Sequence, residues 1–209
     1  GHGLSYEERG GSGDRDNWWQ GVGQYSEFRF KGRPSHHNYD QVTRGLGLYY
    51  YFLQKDNPNP TGRFKAQMDS VRVIYQDMIN YAYKSHDMVV YNLDGTISAT
   101  LLFGREGRPT STSLMATNAL TFGYWITGDA WCRQKLQQLV REYNYLRPGM
   151  ADSVRADADD TEHVMPGLWL AYQVEQDPQL KRFYQQAQAS MFREFRTERR
   201  SLFNYLSAG

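Results

Sequence analysis

Two kinds of apolar pattern alternate along the chain. Within 40–54, Leu46, Leu48, Tyr49, Tyr50, Tyr51, Phe52 and Leu53 leave no polar face, which predicts a helix covered on every side. The next stretch, 63–84, differs. Phe64, Met68, Val71, Ile74, Tyr75, Met78, Ile79 and Ala82 recur at three- and four-residue steps, a single apolar stripe on a helix with a wet back. The alternation then repeats. Residues 114–127 are apolar on most sides, and 130–146 carry one stripe through Trp131, Leu136, Leu139, Val140, Tyr143 and Leu146. Residues 164–174 are apolar nearly throughout, and the helix restarted by Asp177-Pro178 has one stripe through Leu180, Phe183, Ala187, Met191 and Phe195. A further buried helix begins at 201–206. Between the first two pairs, Val89, Val90 and Tyr91, the Asp94-Gly95 turn and residues 96–102 predict a small β-hairpin. Residues 1–16 are Gly-rich and charged and read as a flexible lead-in. Residues 17–209 read as a single domain of helical hairpins that further residues at the C-terminal end would complete.

The connections repeat as well. Long polar loops at 32–40, 104–113 and 147–160 each precede a helix that is apolar all round, and each such helix ends in a short break. Counting back five from Asp56, Asp129 and Asp177 gives Tyr51, Tyr124 and Tyr172; counting back three gives Leu53, Ile126 and Val174. This is a structural repeat. Helices apolar all round, alternating with helices apolar on one side, predict inner helices sheathed by outer ones. The long loops then gather at the N-termini of the inner helices. The fold class is all-α with the β-hairpin as an insertion.

Hairpin order and the loop regions 32–40, 104–113 and 152–163 resemble the α/α toroid of the six-hairpin glycosidase type, shared by glycoside hydrolases and polysaccharide lyases. The resemblance covers 14–209 and is one of architecture, without a motif that names one enzyme family. It implies an active cleft at the long-loop face and a secreted or periplasmic setting. It also implies that three hairpins and a begun fourth form only an arc. A second copy of the chain, or further C-terminal hairpins, would complete the ring and cover the apolar area that an open arc exposes.

Composition narrows the function classes. A formal net charge of +1 over 209 residues gives no basic field of the kind a nucleic-acid binder carries. No apolar run approaches the roughly 20 residues of a membrane span. The first thirteen residues lack the apolar core of a signal peptide. The sixteen tyrosines suit sugar-lined grooves and helix cores equally. Cys132, the single cysteine, has no internal disulfide partner and reads as buried and inert.

Candidate chemistry collects where the inner helices begin. Acids there are held ionised by the helix dipole, and for Asp40, Ser111 and Asp160 capping is the plainer role. Glycoside hydrolysis needs two carboxyl groups across the scissile bond. Asp40 and Asp160 are the first choices, Asp159 and Glu162 the reserves. His36, His37, Tyr39, Arg44, Arg108 and His163 would orient an oligo- or polysaccharide, and Trp18 and Trp19 would stack on sugar rings. The alternative enzyme is a polysaccharide lyase. It would take a proton beside a uronate carboxylate with His36, His37 or Tyr39, assisted by Asn38 and Arg44. In lyases of the toroid type such groups come from several helices, whereas here they share one loop. A non-catalytic helical module that binds a glycan or a protein is the reading from a different class. The sequence calls for no cofactor. Two acidic runs, Asp14-Arg15-Asp16-Asn17 and Asp157-Ala158-Asp159-Asp160, have the oxygens that a structural Ca²⁺ takes, but not EF-hand spacing. His36, His37 and His163 lack the clean spacing of a transition-metal site. There is no nucleophile elbow and no phosphate loop.

Overall fold

The computed structural model describes residues 18–20, 23, 26–31, 36–85, 87–91, 97–101, 110–147, 149–151 and 158–195. The predicted lead-in (1–16) and the begun helix at 201–206 lie outside them. Six α-helices dominate, so the class is all-α: α1 (His36–Asp56), α2 (Gly62–Met78), α3 (Ser111–Thr127), α4 (Ala130–Glu142), α5 (Ala158–Val174) and α6 (Pro178–Phe195). Two short antiparallel ribbons accompany them. In one, β1 (Trp18–Gln20) pairs with β2 (Arg29–Lys31); in the other, β3 (Val89–Tyr91) pairs with β4 (Ile97–Leu101), with a bulge between Val89 and Tyr91.

The helices pack as their apolar patterns require. α1, α3 and α5 pack on one another, α2 lies against α1 and α3, α4 against α3, and α6 against α5. The central helix is α3, where Ser111 and every residue from Ser113 to Gly123 are buried. A Cβ added at Gly47 of α1 would lie 3.0 Å from Leu170 Cδ2 and 3.2 Å from Phe122 Cδ2, so all three inner helices meet at that glycine. Below it, Tyr51 touches Trp169 edge-on and tilts against Trp125, extending the seam toward the short turns.

Helix ends follow local chemistry in two hairpins. Asp129 caps α4 by accepting from the Trp131 amide at 3.0 Å, after Gly128 ends α3 at φ +75°. Asp177 caps α6 by accepting from the Gln179 amide at 2.9 Å, with Pro178 in the first position. The first hairpin departs from the repeat. Asp56 lies in the last turn of α1, and α2 is entered through Thr61 without a side-chain cap. On α3 the cap is Thr110 rather than Ser111, in a reciprocal box with Ser113.

Four further expectations need correction. α1 begins at His36 and α5 at Ala158, so the ends of two expected loops, including His37, Tyr39, Asp40 and Asp160, are helical. Histidine and asparagine are indifferent helix formers, and packing against the neighbouring inner helix carries them. The long second helix changes pitch: after Met78, Ile79–Lys84 form a π-helical turn that keeps Ile79, Ala82 and Tyr83 all buried. On α2 itself Phe64 and Ile74 are exposed, so the buried stripe is narrower than predicted. Finally, α1 is not covered all round, because Val42, Tyr49 and Phe52 face outward on one side. Its neighbours α2, α3 and α5 account for the remaining faces.

The contact between α3 and its neighbours is tight enough to predict a cost. A Cβ on Gly123 would lie 2.8 Å from Cys132 Sγ and 3.1 Å from Ile79 Cδ1. Gly123→Ala is expected to destabilise the protein by about 1–3 kcal/mol through overpacking. Adding Cys132→Ala vacates the sulfur's place, so the double variant should unfold at less denaturant than wild type but at more than the sum of the two singles predicts. Strict additivity in urea titrations would show that the two positions do not share that space.

Candidate functional site

The first turns of α1 set His37, Asp40 and Arg44 on one face, at steps of three and four. That face meets α5 at His163. The Asp40 carboxyl is almost fully buried, at 3% exposure. Its Oδ2 lies 3.3 Å from Arg44 Nε and 3.9 Å from His163 Nδ1, an ion pair and an imidazole contact rather than aligned hydrogen bonds. The His37 and His163 rings stack, with centroids 4.3 Å apart and planes at 14°. Asp40 is the fifth residue of α1, inside the helix, and so does not cap it.

Burial dominates the electrostatics. It drives the Asp40 carboxyl up from its ordinary 3.8 to about 7, against the pull of the Arg44 and His37 charges. Beneath it, Thr43 donates to the Tyr39 and Asp40 carbonyls at 2.9 and 3.1 Å. The Tyr75 and Tyr83 hydroxyls, both fully buried, are raised first by burial and in part by the Asp40 charge, and so keep their protons. Tyr75 donates to the Ala119 carbonyl at 3.1 Å. Tyr39 is raised by burial and by Tyr81. Burial also pushes the Cys132 thiol up to about 12, which leaves it a poor nucleophile.

The remaining inner helix, α3, contributes a residue that is not among the sequence candidates. Asn118 is 1% exposed, and neither its Oδ1 nor its Nδ2 has a hydrogen-bond partner among the described residues. It presses on Gly167, where an added Cβ would fall 2.5 Å from Asn118 Nδ2; Gly167 lies one turn along α5 from His163. A buried amide in this state is costly, on the order of 1–3 kcal/mol. The signal was available: Asn118 is the only amide in the apolar run 114–127.

Of the predicted site residues, the structure therefore brings together Asp40, Arg44, His37 and His163, with Tyr39 beside them and half-buried. Asp159, Asp160 and Glu162 occupy the first two turns of α5, just before His163, and their side chains lie outside the described residues. The same holds for the side chain of His36, which opens α1, and for those of Trp18 and Trp19 on β1. Arg108 and the acidic run 14–17 are also outside them. Among the described residues no three His, Cys, Asp or Glu side chains gather as metal ligands, and no helix is long and apolar enough to cross a membrane. The arrangement offers a carboxyl group that gains or loses a proton near neutrality, beside two imidazoles and a guanidinium. No model of a known protein family, no curated protein and no solved structure matches the chain.

Proposed function

We propose that the protein is a carbohydrate-active enzyme of the helical-hairpin toroid type, which hydrolyses glycosidic bonds with Asp40 as general acid. One observation carries this reading: a buried carboxyl on an inner helix, raised to about 7, between Arg44 and His163. A general acid must hold its proton at working pH and release it to the leaving oxygen, and burial is the usual way to tune a carboxyl for that task. The partner carboxylate in this scheme comes from the start of α5, Asp160 first, with Asp159 and Glu162 behind it. His37, His163 and Arg44 position the acid and the sugar. His36, Tyr39, Arg108, Trp18 and Trp19 belong to the glycan-binding surface. A second copy or further hairpins complete the ring, the setting is secreted or periplasmic, and a structural Ca²⁺ is compatible with the acidic runs.

A specific observation favours a second reading, a polysaccharide lyase. His163 stacks on His37 from another helix, so the imidazoles and Arg44 converge from two elements instead of one loop. A glycan panel separates the readings. Hydrolysis yields new reducing ends without ultraviolet absorbance, and lysis yields an absorbing double bond. Under the hydrolase reading Asp40→Asn lowers kcat by about 10²–10⁴-fold with folding intact, and Asp160→Asn also lowers it. Glycan binding without turnover in wild type would point to a non-catalytic module. Activity that survives Asp40→Asn would remove Asp40 from the chemistry.

A further inference from the structure

A separate cavity of about 210 Å³ lies away from Asp40, between the turns that follow α4 and the outer helix α6. Its lining divides by chemistry. Tyr145 and Phe183, whose rings stack at 5.9 Å and 9°, form an apolar floor. Gln179, Arg182 and Gln186 stand along one stripe of α6, and Arg147, from the turns after α4, also lines the cavity. Among the described residues no carboxylate lines it. Arg147 and Arg182 are exposed, and neither guanidinium forms an ion pair among the described residues. Arg133 and Arg72, by contrast, are each held by acids.

We infer that this cavity is a binding site for a small ring-bearing carboxylate. The guanidinium is a planar fork that matches a carboxylate with two parallel hydrogen bonds, and two such groups here have no ion-pair partner among the described residues. The glutamine amides can donate to whatever carboxylate oxygens remain or accept from a hydroxyl on the ring. The floor takes the ring by apolar contact. An apolar bed with a few convergent polar groups is the usual composition of a small-ligand site, and this volume suits a molecule of one ring. The occupant follows from the lining: positive charge without a counter-charge among the described residues selects an anion, and the aromatic rings select one with an apolar body.

The test uses benzoate and its neutral isostere benzamide on the full chain, followed by titration calorimetry. Benzoate is expected to bind saturably, with benzamide at least tenfold weaker. Arg147→Ala and Arg182→Ala, both on exposed side chains, are each expected to weaken benzoate at least tenfold without moving the unfolding midpoint. Asp40→Asn should leave benzoate binding unchanged, so this site and the proposed catalytic site stand or fall separately. The inference is overturned by an absence of saturable benzoate binding, by equal binding of benzamide, or by indifference to both arginine variants. Inorganic phosphate that displaces benzoate at equal concentration would also overturn it, since the cavity would then select charge without the ring.

Discussion

Asp40→Asn should make the protein more stable at pH 8 and leave it nearly unchanged at pH 4. The sign follows from the direction of the shift. The Asp40 carboxyl has an ordinary value of 3.8 and stands at about 7 in the folded protein. Below the lower value it is protonated in both states and contributes no difference. Between the two, the folded protein retains a proton that the unfolded chain releases, so stability falls as pH rises. Above the higher value the carboxylate is ionised and buried, at a cost on the order of 4 kcal/mol. Asparagine has nearly the same shape and never ionises, so the cost disappears. The charges that face this group are His37 and Arg44 from α1 and His163 from α5, with the Tyr75 hydroxyl of α2 and that of Tyr83 in the turn after it. All remain in the variant, so the difference between variant and parent isolates Asp40. In thermal unfolding from pH 4 to 8, the variant's advantage should grow to about 10 °C. A variant less stable than its parent at pH 8 would mean that Arg44 and His163 hold Asp40 as a carboxylate, and its role as proton donor would be lost.

Arg133→Met should destabilise the protein by about 3–5 kcal/mol, as expected when one partner of a buried ion pair is removed. Arg133 leaves α4 and meets the turn between α5 and α6. One of its terminal nitrogens lies 3.0 and 2.9 Å from the two Glu175 oxygens, and the other lies 3.4 Å from Asp177. Glu175 is 4% exposed and also accepts from the Gln176 and Asp177 amides, both at 2.8 Å. Taking away the guanidinium strands a carboxylate that water does not reach. Glu175→Gln in the Arg133→Met background removes that charge and should recover a large part of the loss. Denaturant midpoints of the two singles and the double give the coupling directly. Equal stability of Arg133→Met and wild type would mean that the backbone amides alone satisfy Glu175. The expected loss is structural: Arg133 clips the second hairpin to the third, at the end of the molecule remote from Asp40.

How much of this was legible beforehand depends on the range of the forces involved. The caps at Asp129 and Asp177 were readable because a carboxylate accepting from an amide two residues on is a local event. The alternation of inner and outer helices was readable because a helix apolar on most sides, as α3 is, must be enclosed. α1 has the same pattern and escapes enclosure on the side of Val42, Tyr49 and Phe52. Pattern states what a helix would bury, while its place in the assembly decides what it does bury. Asp40 was chosen for its position at the start of an inner helix, with capping as the plainer role. That role fails because α1 starts four residues earlier.

Readable along the chain were the helical class, the pairing of helices into hairpins, two of the short turns and a wide set of candidates, in which His37, Asp40, Arg44 and His163 stood among Asp159, Asp160, Glu162 and others. These rest on periodicity and on interactions within a few residues. Packing alone reveals that His163 stacks on His37, that the Asp40 carboxyl is driven toward neutral pH, that Asn118 is buried beside Gly167, and that Arg147 and Arg182 share a cavity. Each of these depends on desolvation or contact between residues far apart in the chain. Such terms are set by how closely α1, α3 and α5 approach one another, and α4's following turns approach α6, and no spacing along a single helix contains that distance.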